Sequence, residues 1–203
     1  MSARDSILAR IRNVTAAIPA KAPLPDYDPA ITHCLPRLEG DDLAAVFIRN
    51  LGNVNGRAMR SGSEVARFLS DGGYRHGYCD PALHGLIGPD LAAAGLTVET
   101  TYDRSRYDDY QFGITRATGA IAESGTIILD DNLTSSRLAA LSPWVHVAVL
   151  DAATIHRTIG DALAALGDSP NVIWATGPSK TADVEGILIE GVHGPGEQIA
   201  LIL

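Results

Sequence analysis

The chain is poor in cysteine, with only Cys34 and Cys79 among its 203 residues. Their spacing matches neither a disulfide framework nor a thiolate metal knuckle, and two thiols fall short of the four that usually hold an iron–sulfur cluster. No iron–sulfur cluster is expected in this chain, and a reducing cytoplasm is the expected compartment. Long apolar runs are missing too. No stretch reaches the roughly 20 residues of a membrane span, and the opening Met1-Ser2-Ala3-Arg4-Asp5 has no apolar core of the kind a secretory leader carries. Membrane insertion and secretion are therefore not expected. Basic residues are outnumbered, 16 against 24 acidic ones for a net charge of -8, and they do not cluster. A nucleic-acid backbone would meet mostly repulsion. His33, His76, His84, His146 and His156 are scattered, and none falls at metal-ligand spacing beside His193, so no metal site is expected.

What is present suits one compact domain. Hydrophobic residues make up 46% of the chain and charged ones 20%, enough apolar material for a single sizeable core over residues 1–203. Residues 1–30 read as an N-terminal helix and arm. Ser2 and Asp5 give a helix start, Ile7, Leu8, Ile11 and Val14 recur at helical spacing, and the proline-rich stretch from Pro19 to Pro29 is extended. Such an arm packs on a neighbouring subunit in a homo-oligomer or runs as a surface connection.

From Asp41 onward the pattern is α/β. Helices are predicted over Asp41–Asn50, over Ser61–Asp71 with Glu64 completing its cap, over Pro89–Ala94 closed by Gly95, and over Ala153–Leu166. Strands are predicted over Arg75–Cys79, Leu96–Thr100, Val145–Leu150, Asn171–Ala175 and Ile199–Leu203. Three short apolar runs, Phe112–Thr115, Gly119–Ala122 and Thr126–Leu129, follow each other too closely for helical crossovers and suit antiparallel hairpins. The expected architecture is a mixed, largely parallel sheet covered by helices. Tyr102–Tyr110 mixes aromatics, acids and arginines and reads as an exposed loop, a lid or a subunit contact.

Three segments carry candidate chemistry. In Ala120–Leu129, polar residues interrupt an apolar strand pair. Glu123 is placed to act as acid, base or nucleophile, Gly125 to let the backbone approach a ligand, and Ser124 or Thr126 to donate hydrogen bonds. A hairpin turn whose polar groups satisfy the backbone explains the same residues, and spacing alone favours it. In Trp174–Asp183, the chain leaves a strand at its carboxyl end, where open α/β sheets place ligands. There Gly177, Ser179, Lys180 and Thr181 could cradle a phosphate or carboxylate, with a plain polar loop as the alternative. In Glu190–Gly196, a glycine-rich turn presents His193, a proton shuttle or a structural residue. Arg137, after Thr134-Ser135-Ser136, is suited to clamp a carboxylate or to start a surface helix.

Four blocks carry a family resemblance: Ala3-Arg4-Asp5-Ser6-Ile7-Leu8, Ala122-Glu123-Ser124-Gly125-Thr126, Gly177-Pro178-Ser179-Lys180-Thr181-Ala182-Asp183-Val184-Glu185, and Gly191-Val192-His193-Gly194-Pro195. On these the chain resembles the LutC branch of the LUD-domain proteins, associated with bacterial L-lactate utilization. The resemblance implies a three-layer fold similar to the ribose-phosphate isomerase, glucosamine-phosphate deaminase and CoA-transferase group. It implies a component that works with iron–sulfur partner proteins in converting L-lactate to pyruvate and binds a small anionic metabolite or cofactor, whose identity the residues do not give. A stand-alone isomerase or CoA-transferase-like enzyme and a non-catalytic scaffold are the other readings.

Overall fold

In the computed structural model, residues 2–16, 38–167, 169, 171–183 and 186–203 are described. The proline-rich arm expected after the first helix lies outside them. The chain divides into two units, Met1–Thr32 and His33–Leu203. The first contains helix α1 (Ala3–Ala16), whose start is closed reciprocally: Ser2 N–H donates to Asp5 Oδ2 at 3.1 Å and Asp5 N–H to Ser2 Oγ at 3.2 Å. None of its side chains is buried.

The second unit is built on six parallel strands: β1 (Arg57–Met59), β2 (His76–Cys79), β3 (Thr97–Glu99), β4 (Phe112–Arg116), β7 (Val145–Leu150) and β12 (Glu197–Ile202). Their order across the sheet is β1-β12-β7-β4-β2-β3. Central strands of a parallel sheet are covered on both faces, which is why Val145–Leu150 is apolar at five of its six positions and buried at all six. Alternate residues serve opposite faces. Phe112, Ile114, Val147, Ile199 and Leu201 pack with Val65, Leu69, Ile87 and Leu91 of α3 (Gly62–Asp71) and α4 (Pro81–Ala93). Ala148, Leu150, Ala200 and Ile202 face the other way, toward Phe47 and Leu51 of α2 (Leu43–Asn53) and toward a second sheet.

That second sheet has the order β8-β5-β6-β9, from β5 (Gly119–Ile121), β6 (Thr126–Asp130), β8 (Ile155–His156) and β9 (Val172–Ala175). The mixed strand pairing is thus divided between layers. β5 and β6 form the expected antiparallel hairpin, with Gly119 opposite Ile128, whereas Phe112–Arg116 lies between β7 and β2 in the parallel sheet. The short gap after it is possible because the chain changes sheet there and needs no crossover. Ala117 N–H still donates to Val149, and Thr118 N–H already donates to Ile128.

Two other expectations are corrected, and one strand was missed. The fourth helix begins at Pro81, not Pro89, and runs through Pro89 at the loss of one helical hydrogen bond, because Leu83, Ile87 and Leu91 are buried on the sheet. The stretch predicted helical from Ala153 first forms a 3-10 turn and β8; only Ile159–Ala165 (α6) is α-helical, its start set by a capping box between Thr158 and Asp161. β1 was not predicted, since Arg57-Ala58-Met59 has no apolar alternation to mark it. Two remaining elements, α5 (Arg137–Leu141) and the ribbon β10 (Lys180–Thr181) with β11 (Ile189–Glu190), flank the region described next.

Candidate functional site

A cavity of about 380 Å³ opens at the amino ends of β7 and β12. Its floor holds His146 and Gln198, the second residues of these strands and neighbours in register. Leu129, Ile173, the Thr176–Lys180 loop and the His193–Pro195 turn form its walls. The loop does leave a strand at its carboxyl end, but that strand, β9, belongs to the second sheet. Its end lies over the amino ends of the parallel strands, so the rule for ligands at parallel-strand carboxyl ends does not place this cavity.

His146 is 1% exposed, and both ring nitrogens are engaged. Nδ1 is 3.0 Å from Gln198 Oε1 and Nε2 is 2.9 Å from Thr115 Oγ1. A carbonyl oxygen only accepts, so Nδ1 carries the proton and Nε2 accepts from the threonine hydroxyl. Burial pushes the imidazole pKa down to about 4, against a partial rise from the Gln198 bond, so the ring is neutral near pH 7.

The two glycine-rich blocks meet here. Ser179 N–H donates to Pro195 O and Gly191 N–H donates to Ser179 O, each at 2.8 Å. Gly177 has φ +74°, and a side chain on it would run into the Val54 carbonyl. Lys180 extends its ammonium to that same carbonyl at 3.0 Å and to Glu190 Oε1 at 3.4 Å, while Asn55 Nδ2 donates to Glu190 Oε1 at 2.7 Å. The Asn55 bond and then Lys180 hold the Glu190 carboxyl below its ordinary range. Thr181 donates to Asp183, whose Oδ2 is 3.8 Å from His193 Nε2 on the exposed face of the turn.

The Ala122–Thr126 turn reaches this region through hydroxyl groups. Ser124 Oγ is 2.7 Å from Thr126 Oγ1, which is 2.8 Å from Thr176 Oγ1 on the cavity wall. Glu123 is directed elsewhere. Its Oε1 accepts the Ile159 N–H at 2.8 Å at the start of α6, and its buried Oε2 takes no hydrogen bond from any described residue. Gly125, at φ +65°, lies against the backbone of Asn50 and Leu51, so the close approach it permits is to α2. Arg137 opens α5 and pairs with Asp131, Nε to Oδ1 2.9 Å, away from the cavity residues. Among the described residues, no group of three His, Cys, Asp or Glu is placed to hold a metal ion.

The structure thus joins Gly177, Ser179 and Lys180 to His193, which the sequence offered as two separate segments, and adds His146 and Gln198, which sequence reasoning missed. The overlooked signal was a histidine inside Val145–Leu150 and a glutamine inside Glu197–Ile202. A polar side chain in a strand buried on both faces needs a partner, and these two are each other's.

The LUD domain model matches residues 78–203, more than half of the chain. The chain belongs to the LUD-domain family. This LUD chain is 37% identical over 175 residues to "Lactate utilization protein C" of Deinococcus radiodurans, an alignment covering 84% of the chain and 71% of that relative. It is 35% identical over 98 residues to the protein of the same name in Bacillus licheniformis, covering 44% of the chain and 41% of that protein. Among solved structures, a DUF162 family protein from D. radiodurans superposes with a TM-score of 0.56 at 20% identity, over 79% of the LUD chain and 95% of the other, which supports the fold. No helix among the described residues of the LUD chain is long and apolar enough to cross a membrane.

Proposed function

We propose that this chain serves lactate utilization as a ligand-holding component, and that its ligand is a small carboxylate, or a cofactor bearing one, seated over His146. The observation that carries the reading is the cavity itself, where a neutral, doubly held imidazole faces two glycine-rich blocks stitched together at Ser179. The Ser179 hydroxyl and the His193 ring offer hydrogen bonds to a carboxylate, Lys180 adds positive charge partly offset by Glu190, and Ile173 and Leu129 offer apolar wall to a methyl group. Oxidation of L-lactate to pyruvate releases two electrons. With two cysteines this chain has no thiolate set for an iron–sulfur cluster, so in this reading the electrons pass to iron–sulfur partner proteins. A self-contained isomerase or CoA-transferase-type reaction would need Glu123 at the substrate, and its bond to the α6 start favours a structural role instead.

Isothermal titration with L-lactate and with pyruvate tests the reading. Wild type should bind at least one of them, and Ser179→Ala and His193→Gln should each weaken binding about tenfold, the worth of one hydrogen bond to a charged group. Absence of heat with both acids, or unchanged affinity in both variants, would remove the small-carboxylate assignment.

A further inference from the structure

A second cleft, of about 530 Å³, lies on the other side of the His193–Gly194 turn and is walled by aromatic rings. Its composition follows from the strand order. β7, β4 and β2 are consecutive neighbours in the sheet, and each is entered through an aromatic residue: Trp144 immediately before β7, Tyr110 two positions before β4 and Tyr74 two positions before β2. Tyr107, from the 3-10 stretch Arg104–Asp109, adds a fourth ring.

These rings are held in place from behind. A side chain on Gly191 or on Gly196 would collide with the Trp144 ring, so the indole lies against bare backbone at both positions. The Tyr110 hydroxyl donates to Glu99 Oε2 at 2.9 Å and accepts from Asp103 N at 3.0 Å. Yet Trp144 is 48% exposed and Tyr107 50% exposed, which leaves two large aromatic surfaces open at the cleft. A ring held against backbone on one side and open on the other is a stacking platform.

The charge at the cleft narrows the ligand. Asp108 is the one Asp, Glu, Lys or Arg among the described lining residues. Apart from His193, on the turn shared with the first cavity, an anion finds no basic side chain there, whereas a ring carrying N–H donors finds both aromatic faces and a carboxylate. The volume lies in the range of whole-ligand pockets, about 300–1,000 Å³, which is far more than an ammonium head group occupies.

We infer that this cleft is a binding site for a planar heteroaromatic ring bearing N–H donors, stacked on Trp144 and Tyr107 with its donors directed to Asp108. The inference is independent of the carboxylate cavity and stands whether or not lactate or pyruvate binds there.

Trp144 is the tryptophan of this cleft, and Trp174, the other one in the chain, packs on the second sheet with Ile121, Ile128 and Ala162, which supplies the experiment. In full-length Trp174→Phe, fluorescence reports Trp144 alone. Adenosine and nicotinamide, both uncharged and both N–H donors, are titrated against it, with N-acetyltryptophanamide correcting for absorption and random quenching. At least one should quench Trp144 saturably with a Kd below about 1 mM. Tyr107→Ala and Asp108→Asn, both at exposed positions outside the core, should each weaken that binding about tenfold, by loss of a stacking surface and of a charge-assisted hydrogen bond. Unaltered melting curves would show both variants folded. Lack of saturation with both probes, or binding unchanged in both folded variants, would overturn the assignment. So would a saturable response to tetramethylammonium in place of the rings, which would give the cleft to an ammonium head instead.

Discussion

Replacing Gly125 by alanine should destabilise the second unit by about 3–5 kcal/mol, more than an exchange at a turn usually costs. Two effects combine. The residue has φ +65°, where a β-carbon is disfavoured by about 1–2 kcal/mol. The new methyl would also occupy the space of the Asn50 and Leu51 backbone, and main chain inside a helix cannot step aside as a flexible side chain can. Gly73 separates the two contributions. It has φ +81° with nothing near the position of a β-carbon, so Gly73→Ala should lose only the conformational part, about 1 kcal/mol. Urea unfolding of both variants beside wild type measures the difference. Equal losses would mean that the turn and α2 move apart freely, and the packing role given to Gly125 would then be wrong.

Acidification should cost wild type about 3 kcal/mol through His146 alone. The imidazole titrates near 6.5 when unfolded and near 4 when folded, because burial disfavours its charged form. Between those values the unfolded chain binds a proton that the folded one does not, so stability rises with pH across this window and falls as pH drops through it. The contribution is complete above about pH 6.5 and exhausted below about pH 4. Carboxylates titrate over part of the same range, so the quantity to measure is the difference between wild type and His146→Gln in unfolding free energy from pH 4 to pH 8. Glutamine keeps a donor and an acceptor for Gln198 and Thr115 but does not titrate. Parallel pH curves for the two proteins would contradict a buried neutral imidazole.

Features carried by neighbouring residues were legible in the sequence. Ser61 with Glu64 marked a helix start that Ser61 does cap, and the apolar run Val145–Leu150 marked a strand buried on both faces. The apolar run Ile199–Leu203, predicted as a strand, falls largely within β12, which lies between β1 and β7. Features set by tertiary contact were not legible. Pro89 obeyed its local meaning in the sequence reading, but burial of the helix face through Leu83, Ile87 and Leu91 overrode it. The division into two sheets turns on the bend at Ala117 and Thr118, which leaves no mark in hydrophobic periodicity. In the candidate site, Gly177, Ser179, Lys180 and His193 stood out because polar and glycine residues were clustered. His146 and Gln198 each looked like an isolated polar residue until the register set them side by side. Tyr74, Tyr110 and Trp144 are far apart along the chain, and only the order β7-β4-β2 gathers them.

The position of β12 also governs when this fold can assemble. β1 hydrogen-bonds to β12, Arg57 opposite Ile199, and β12 separates it from β7. A nascent chain leaving the ribosome presents β1 early but has no place for it until residues 197–202 emerge. Until then the β7 edge, apolar at five positions of six, stays open to pairing with another chain. Closure over so long a sequence separation makes the last step slow, and protein synthesis is therefore the stage at which a holding chaperone would matter most to this protein.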